Sequence, residues 1–415
     1  MRKIIIQLLF FISVSNAQWV QQSSGTTVTL FDISMPGVST TLVGWAVGLS
    51  GTILRTTNGG TNWIAVNSPT SNSLTSVHCF NSTSILAVGW NGTVIKTTNN
   101  GLDWTSNFIG SFDLESVSFI NSTTGFICGK SGGIWKTTNG GNTWNGLVVN
   151  SLDNRECYFI NSTTGYTCGP LINTQTASVK RTTSGGASWQ QPVNVFGTLN
   201  SITFYGDQMG WSCGSLGNLA RTTNGGVTWS TYAPINSAIT LFDIYFSKPE
   251  ELGNGTTGWI AADSGKIYVT SNSGVNWETQ ITPVNYPLYA VKVIGNTHGW
   301  AVGDNGTILR TTNGGVPIGI QTISSEIPVG YKLWQNYPNP FNPLTNIEFS
   351  IPKGNNVKLE IFDSEGKHIA EIVNGFYSAG TYKADFEAGN LASGIYFYSL
   401  QAGYFSETKK MILIK

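Results

Sequence analysis

Apolar and polar residues alternate over short stretches along most of the chain, and turn-forming residues separate these stretches. Segments 74–80 and 199–204 mix apolar with polar residues and are followed by turn-forming residues, which predicts short strands. Runs of small and apolar residues of the Gly-Trp-Ala-Val-Gly type, as at 44–48 and 299–303, follow such strands. The pattern predicts an all-β protein built from many short strands.

One phrase recurs through the larger, N-terminal part of the chain. It consists of a basic residue, then Thr-Thr-Asn-Gly-Gly, and a tryptophan shortly afterwards. From Arg55 in the first copy to Arg310 in the last, the mean period is about 42 residues. That period is typical of four-stranded propeller blades, so each unit should hold strands A, B and C, a turn, and strand D. The copies begin at Arg55, Lys96, Lys136, Arg181, Arg221, Val269 and Arg310.

The composition of the phrase has a structural reason. Asparagine bonds its own following backbone and tolerates a left-handed conformation, and glycine reaches positive φ without steric cost. Tryptophan is a large apolar body suited to the seam between blades. We therefore interpret these residues as architecture, and the repeated Arg or Lys as a solvated strand position. The tryptophans of the phrase are Trp63, Trp104, Trp144, Trp189, Trp229 and Trp277.

The seventh copy lacks a tryptophan, and the N-terminus supplies one. Trp63 precedes Val77 of the next strand A by 14 residues, and Trp19 precedes Ile33 by the same interval. Residues 18–22 are therefore predicted to form strand D of the seventh blade. Pairing the chain ends in this way closes a ring and leaves no exposed sheet edge. The prediction is a seven-bladed β-propeller over residues 18–318, closed by the N-terminal strand.

The composition changes after residue 320. Residues 331–415 hold eight Lys and eight acidic residues but no Arg, and they show further alternating strands. Several short strands in so small a segment predict a small Ig-like β-sandwich. We expect residues 319–330 to form a linker and residues 331–415 to form the second domain.

The first residues resemble an export signal. Arg2 and Lys3 are followed by an apolar stretch at 4–14 and by small residues at 15–17. Residues 1–17 are therefore predicted to be a signal peptide. The apolar stretch is too short to span a bilayer and no other run comes close, so no transmembrane segment is expected.

Charge and composition exclude several functions. The 22 basic and 22 acidic residues balance, which leaves no basic surface for nucleic acid. The three histidines are isolated in sequence, and no glycine-rich nucleotide motif occurs, so no metal and no cofactor is expected. Apart from Arg2, only Arg155 lies outside the repeated turn position, so the arginine triad of a sialidase cannot be assembled.

Two acids are candidates for chemistry. Asp32 and Asp243 occupy equivalent strand A positions, in the contexts Leu-Phe-Asp-Ile at 30–33 and 241–244. Because the innermost strands of a propeller line its channel, both could face it. One interpretation is that they are solvated or hydrogen-bonded to neighbouring backbone. The other is that they are a carboxylate pair that hydrolyses a glycan.

Cysteines and insertions supply further candidates. Cys157 and Cys168 face each other if their hairpin is centred on residues 162–163, and export permits a disulfide between them. Insertions near 170–178 and 248–254 interrupt the repeat. Such insertions are either binding loops or neutral variation in length.

The repeat resembles a known one. Thr56, Asn58, Gly60 and Trp63 match the spacing of the Asp-box, or BNR, repeat, with Asn where Asp is usual. Together with the strand at 44–48, the unit is most similar to photosystem II assembly/stability factor-like propellers. The resemblance covers about residues 18–315 and implies the fold. It implies no single function, because Asp-box repeats occur in sialidases, xyloglucanases and assembly factors alike.

The C-terminal segment resembles another family. Tyr-Pro-Asn-Pro-Phe-Asn-Pro at 337–343, Ser-Gly-Ile-Tyr at 393–396 and the Lys-Lys end at 409–415 are similar to a type A sorting domain of the type IX secretion system. This resemblance implies export across both membranes. It also implies removal of the domain by a sortase-like peptidase, followed by release or attachment at the cell surface.

We therefore expect an extracellular or outer-surface monomer that binds an unknown glycan or protein ligand without catalysis. Its other expected partners are the type IX secretion machinery and the sortase-like peptidase. The alternative is an extracellular glycan hydrolase of the xyloglucanase-like kind that uses Asp32 and Asp243. The sorting domain disfavours a third interpretation, a periplasmic assembly chaperone.

Overall fold

The structure is a computed structural model that describes most of the chain and divides it into two units. The described residues are 19–36, 43–147, 152–172, 177–190, 194–195, 198–232, 235–251, 253, 255–312, 314, 321–324, 326–377, 379–388 and 391–414. The predicted signal peptide, residues 1–17, lies outside them. Trp19–Gly315 form the first unit, and the chain from Val316 forms most of the second. The protein is all-β, as the sequence predicts.

The first unit contains seven four-stranded antiparallel sheets, numbered here in chain order. Strands A to D follow one another across each sheet, so neighbours in sequence are neighbours in space. The first strand of the described residues is β1 (Val20–Gln22). Sheet 1 is β2 (Leu30–Ser34), β3 (Gly44–Gly48), β4 (Ile53–Thr56) and β5 (Ile64–Ala65); sheet 2 is β6 (Leu74–Cys79), β7 (Ile85–Gly89), β8 (Thr93–Thr97) and β9 (Thr105–Phe108); sheet 3 is β10 (Leu114–Phe119), β11 (Gly125–Gly129), β12 (Ile134–Thr137) and β13 (Asn145–Gly146); sheet 4 is β14 (Glu156–Phe159), β15 (Gly165–Pro170), β16 (Ala177–Thr182) and β17 (Asn194–Val195); sheet 5 is β18 (Leu199–Tyr205), β19 (Met209–Gly214), β20 (Leu219–Thr222) and β21 (Ser230–Tyr232); sheet 6 is β22 (Leu241–Phe246), β23 (Gly258–Ala262), β24 (Ile267–Thr270) and β25 (Glu278–Gln280); sheet 7 is β26 (Leu288–Ile294), β27 (His298–Gly303), β28 (Ile308–Thr311) and β1.

The last sheet takes its fourth strand from the beginning of the chain. Val20 lies opposite Arg310 and Gln22 opposite Ile308, so β1 pairs with β28 where the tryptophan spacing predicts it. The first strands of successive sheets contact one another, and β26 contacts β2.

A hydrophobic cluster fills the seam between each pair of adjacent sheets. Trp19 packs with Trp259 of sheet 6 and Leu309 of sheet 7, and Trp63 packs with Trp300 between sheets 7 and 1. Each seam thus holds one repeated tryptophan, and burial of these large side chains stabilises the sheet contacts. In the other five seams the residue is Trp104, Trp144, Trp189, Trp229 or Trp277.

The turn between strands C and D explains the repeated Asn and Gly. Asn58 Oδ1 accepts the Asn62 N–H at 2.9 Å, and Thr56 Oγ1 accepts the Gly60 N–H at 2.9 Å. Gly60 has φ of +88°, and a Cβ atom there would lie 2.5 Å from the indole nitrogen of Trp300 in sheet 7. A side chain is therefore excluded both by the backbone conformation and by the neighbouring sheet.

The repeated basic residue does not behave as a merely solvated charge, which corrects the sequence-based interpretation. Lys96 Nζ donates to the Gly140 carbonyl oxygen at 2.8 Å and to Asn142 Oδ1 at 3.0 Å. Arg55 donates to Asn100 Oδ1 at 2.8 Å. In both cases the acceptor lies in the C–D turn of the next sheet, so the basic side chain bridges adjacent sheets.

Helical elements in the described residues are single 3₁₀ turns, and none is long and apolar enough to cross a membrane. Four of them connect strands B and C, and the fifth lies in the insertion of sheet 6. They are Leu49–Gly51, Lys130–Gly132, Ser215–Gly217, Asp263–Gly265 and, in the insertion, Pro249–Glu251.

The predicted pairing of Cys157 with Cys168 is wrong. Cys157 lies opposite Thr167, and Glu156 lies opposite Cys168, so the hairpin register differs from the predicted one by a single residue. Because side chains alternate across a strand, the two thiols project from opposite faces of the sheet. Both cysteines are buried and free.

The second unit contains two four-stranded antiparallel sheets that share one hydrophobic core. Phe349 from one sheet and Ile361 and Tyr398 from the other are buried together in it. A strand also lies within residues 319–330, where a linker is predicted, and it pairs with the first of these sheets. That sheet has the order β29 (Gln321–Ser324), β34 (Gly380–Glu387), β31 (Leu344–Ile351), β30 (Lys332–Leu333), and the other has the order β33 (His368–Tyr377), β32 (Asn355–Asp363), β35 (Gly394–Ala402), β36 (Phe405–Leu413).

Candidate binding site

A cavity of about 250 Å³ lies where the first strands of the seven sheets meet. Every sheet contributes residues of its strand A to the wall, so the cavity is the central channel of the first unit. Its lining is mixed, with aromatic rings, hydroxyl groups and both signs of charge. A concave site with a few convergent polar groups is the usual form of a ligand site.

One position of strand A forms a ring around the channel. In six of the sheets the pairing of strands A and B shifts register near the start of strand A. The ring position is the first strand A residue after this shift, and it lies opposite a small residue of strand B. In sheet 4 the equivalent pair is Glu156 with Cys168. The ring consists of Asp32, Ser76, Ser116, Glu156, Ser201, Asp243 and Ala290.

Side chains of this ring bind the next sheet. Asp32 Oδ2 accepts the Val77 N–H at 2.8 Å and the Ser76 hydroxyl at 2.9 Å. Asp243 Oδ2 accepts the Val291 N–H at 2.8 Å, and its Oδ1 accepts the Ser201 hydroxyl at 2.9 Å. Adjacent first strands share no backbone ladder, so these side chains satisfy amides that would otherwise lack a partner.

Two further members of the ring repeat the arrangement. Glu156 Oε2 accepts the Ile202 N–H at 2.7 Å, and Ser201 Oγ accepts the Ile244 N–H at 3.1 Å. Ala290 has no acceptor to offer to Ile33 of sheet 1, and the Ile33 N–H instead donates to Asp32 Oδ1 at 2.7 Å.

Burial shifts the titration of the ring carboxyls. Loss of hydration raises the pKa of Asp32 to about 7, with a further contribution from the charge of Asp243. Burial, and again Asp243, raise the pKa of Glu156 to about 8, and burial also raises the pKa of Asp243. Near neutral pH the carboxyls of Asp32 and Glu156 can therefore be protonated, and a protonated carboxyl donates as well as accepts hydrogen bonds.

At one end of the channel, cations and aromatic rings lie together. Lys292 Nζ is 2.6 Å from Glu251 Oε1, and the Tyr245 hydroxyl bonds both of these residues. Burial alone would raise the pKa of Glu251, but Lys292 holds it below its usual value. Burial, with Lys248 and Lys292 nearby, lowers the pKa of His78 to about 3, so this imidazole is neutral.

Three aromatic side chains lie at the other end, where the first strands begin. The ring of Tyr289 is 5.7 Å from Phe31 and 4.8 Å from Phe242, centroid to centroid. On the far side of the same end, Glu115 and Arg155 line the wall. Burial raises the pKa of Glu115, which Arg155 and Lys130 partly oppose.

The structure places both acids singled out from the sequence, Asp32 and Asp243, in the channel wall. Sequence reasoning missed Glu156, although it occupies the same repeat position and an alignment of the seven first strands would have found it. It also missed the ion pair of Glu251 with Lys292, which joins the insertion of sheet 6 to strand A of sheet 7. Within the described residues, no group of three potential metal ligands comes together.

Two family models match parts of the chain. Residues 65–200 match the photosynthesis system II assembly factor YCF48 family, and residues 335–415 match the secretion system C-terminal sorting domain family. Both resemblances inferred from the sequence are thereby confirmed. The sorting-domain match indicates a protein exported to the cell surface or the extracellular space. No curated protein matches the chain.

Solved structures show the fold. YCF48 bound to a D1 peptide is 19% identical, has a TM-score of 0.58, and matches 71% of this chain with 97% of its own. The WD40 β-propeller domain of Doa1 is 13% identical, with a TM-score of 0.55 and coverages of 70% and 96%. PorZ, an essential surface component of the type IX secretion system of Porphyromonas gingivalis, is 12% identical, with a TM-score of 0.54 and coverages of 90% and 58%. These likenesses support a propeller-like fold and, at such identities, nothing more.

Proposed function

We propose that the protein is a secreted or surface-displayed binding protein without catalytic activity, and that its ligand binds at the central channel. Its scaffold is a seven-bladed propeller, residues 18–318, closed by the N-terminal strand. The ligand is a glycan or a protein. A peptide ligand has a precedent in YCF48, whose solved structure contains a D1 peptide.

The observation that carries the proposal is the use of the ring carboxyls. Both oxygens of Asp32 and both oxygens of Asp243 accept hydrogen bonds from the chain itself, and in each residue one oxygen accepts a backbone amide of the next sheet. Their repeat-equivalents, Ser76 and Ser201, bind the following sheet in the same manner. Serine occupies the same repeat position as these aspartates and makes the same kind of contact. Assembly of the ring is therefore enough to explain the aspartates, and no catalytic role is required.

Export is the second part of the proposal. The sorting-domain match supports passage through the type IX secretion system, after a signal peptide at 1–17 has directed the chain to the periplasm. Residues 331–415 are then an Ig-like sandwich that the machinery and a sortase-like peptidase recognise. The exported propeller is a monomer, either released or held at the outer surface, as PorZ is a surface component.

A glycan hydrolase is the second candidate, and one observation favours it. Burial raises the pKa of Asp32 to about 7, which suits a general acid at neutral pH, and Asp243 is a second carboxyl in the same cavity. The hydrogen bonds that hold both groups against neighbouring strands argue against this role.

A turnover screen separates the two functions. The purified protein, an Asp32→Asn variant and an Asp207→Asn control are incubated with a panel of polysaccharides, and the release of reducing ends is measured. Asp207 is an exposed residue of the β18–β19 turn, so its substitution leaves the channel intact. We expect no release of reducing ends by any of the three proteins. Turnover that Asp32→Asn abolishes and Asp207→Asn preserves would establish the hydrolase instead.

A further inference from the structure

We propose that the channel is a pocket with a single open mouth, and that it holds the terminal sugar residue of a neutral glycan. The open mouth is the one bordered by Phe31, Phe242 and Tyr289. This proposal rests on the proposed binding function, because it names the class of ligand for that same site.

The insertion of sheet 6 covers the opposite mouth. Glu251 bonds Lys292 of sheet 7, and its carbonyl oxygen accepts the Gly295 N–H at 2.7 Å. Lys248 Nζ lies 5.3 Å from the ring centroid of Tyr158, which belongs to sheet 4. The insertion, rooted in sheet 6, thus reaches sheets on both sides of the channel. A ligand has to enter from the other end, and a polymer cannot thread through.

One contact from sheet 5 and two within the insertion hold it in place. The Tyr205 hydroxyl of sheet 5 donates to the Gly253 carbonyl oxygen at 3.2 Å. The Lys248 N–H donates to Glu251 Oε2 at 3.1 Å, and the Gly253 N–H donates to the Lys248 carbonyl oxygen at 2.9 Å. Glu251 is only 7% exposed, so the ion pair that anchors the insertion is sheltered from water.

The open mouth offers aromatic surface in a fixed arrangement. Tyr289 lies between Phe31 and Phe242 and contacts both rings. Its hydroxyl donates to Asp304 Oδ2 at 3.3 Å, and Asp304 Oδ1 accepts the Thr29 hydroxyl at 2.7 Å. The rings are partly exposed and need no rearrangement to receive a flat apolar face, which lowers the entropic cost of binding.

The chemistry of the pocket matches a sugar ring. A pyranose has an apolar C–H face, which can stack on an aromatic ring, and a rim of hydroxyl groups that both donate and accept. Beyond the aromatic mouth, the wall includes Asn200 and the carboxyls of Asp32 and Asp243, all partly exposed polar side chains that a sugar hydroxyl can reach. The volume of about 250 Å³ lies just below the range of about 300–1,000 Å³ that is usual for drug-sized ligands, so it suits one small ring.

The charges at the open mouth favour a neutral ligand. Lys130 Nζ is 2.7 Å from Asp113 and 3.7 Å from Glu115, and Arg155 is close enough to Glu115 to lower its pKa. Of the described residues at this mouth, both cations, Lys130 and Arg155, therefore have an acidic neighbour. An anionic sugar or a peptide carboxylate would find no excess positive charge there.

The test is an array of neutral mono- to hexasaccharides that end in a hexose, N-acetylhexosamine, pentose or deoxyhexose. The strongest ligand is then titrated by calorimetry into the purified protein, Phe242→Ala, Phe31→Ala and a Phe108→Ala control. Phe108 lies on outer strand β9 and is 67% exposed, so its loss removes an aromatic ring without touching the channel. Thermal unfolding checks that each variant is folded.

We expect saturable binding, competition by the terminal monosaccharide alone, and a rise in Kd of at least about tenfold in Phe242→Ala and in Phe31→Ala but not in Phe108→Ala. Binding that survives both channel-mouth substitutions would overturn the proposal. So would an array without any saturable ligand. If a displayed peptide library instead yields ligands that Phe242→Ala loses, the sugar class is wrong while the binding function stands. Cleavage of a bound oligosaccharide would overturn the binding function itself.

Discussion

Replacing Trp19 by alanine should strongly destabilise the first unit, although Trp19 is next to a chain end. The side chain is fully buried in the cluster that Trp259 and Leu309 share between sheets 6 and 7. Its indole N–H donates to Gln280 Oε1 at 2.5 Å, and Gln280 is itself only 3% exposed. The three residues of β1 that follow are exposed or half-buried, so they add little buried surface of their own.

The expected loss of stability follows from these contacts. Truncating a buried tryptophan to alanine costs about 3–5 kcal/mol. Leaving Gln280 with an unpaired buried oxygen adds about 1–3 kcal/mol, which places the total at the upper end of that range or above it. Domains of ordinary stability unfold at a cost of about 5–15 kcal/mol, so Trp19→Ala should remove a large share.

Hydrogen exchange followed by mass spectrometry locates the effect, and urea unfolding measures its size. Protection should fall first in β28, Ile308–Thr311, because that strand loses its partner β1. Trp334→Ala is the control, since Trp334 lies in the second unit and should leave the transition of the first unchanged. If Trp19→Ala shifts neither the urea midpoint nor the protection of β28, closure by the N-terminal strand is refuted.

Three further predictions concern pH, the insertion and export. Because burial raises the pKa of Asp32 to about 7 and that of Glu156 to about 8, the folded protein holds protons that the unfolded chain releases above about pH 4. The free energy of unfolding should therefore fall as the pH rises from about 4 to about 8, and Asp32 accounts for at most about 4 kcal/mol of this fall. In Asp32→Asn, urea unfolding should show a weaker dependence of stability on pH. Glu251→Ala leaves Lys292 without its buried partner and should lower the free energy of unfolding by about 3 kcal/mol in the same assay. Glu365→Ala, at an exposed residue, should leave it unchanged. Equal urea midpoints for the two variants would contradict the role of Glu251 in holding the insertion. Deleting residues 336–415 should leave a folded first unit trapped in the periplasm, and unchanged amounts at the surface or in the medium would contradict the sorting role.

Local patterns predicted the strands because each of the seven sheets of the first unit repeats one set of spacings. The interval from Trp19 to Ile33 predicted a partner for β28 at the far end of the chain, since a fixed spacing reports a fixed geometry even when the repeat is interrupted. The hairpin of sheet 4 shows where this reasoning fails. The turn is centred on residue 162 and not between residues 162 and 163, and this difference of one register position places Cys157 and Cys168 on opposite faces.

The candidate site was predictable only in part, for a physical reason. Asp32 and Asp243 were visible because strand A positions repeat, and Glu156 was hidden because Glu-Cys-Tyr does not resemble Phe-Asp-Ile. The ion pair of Glu251 with Lys292 joins an insertion to another sheet. The path of an inserted loop depends on the surfaces that it contacts in the folded protein. The sequence of the loop alone does not specify those surfaces.

Native mass spectrometry tests most simply whether the channel binds a ligand without cleaving it. The purified protein is mixed with neutral oligosaccharides and short peptides and is followed over several hours. We expect a complex whose added mass is that of one intact ligand, unchanged with time and lost in Phe242→Ala. Fragments of a ligand that accumulate with the wild-type protein and are absent with Asp32→Asn would contradict it, because they would identify the channel as an active site.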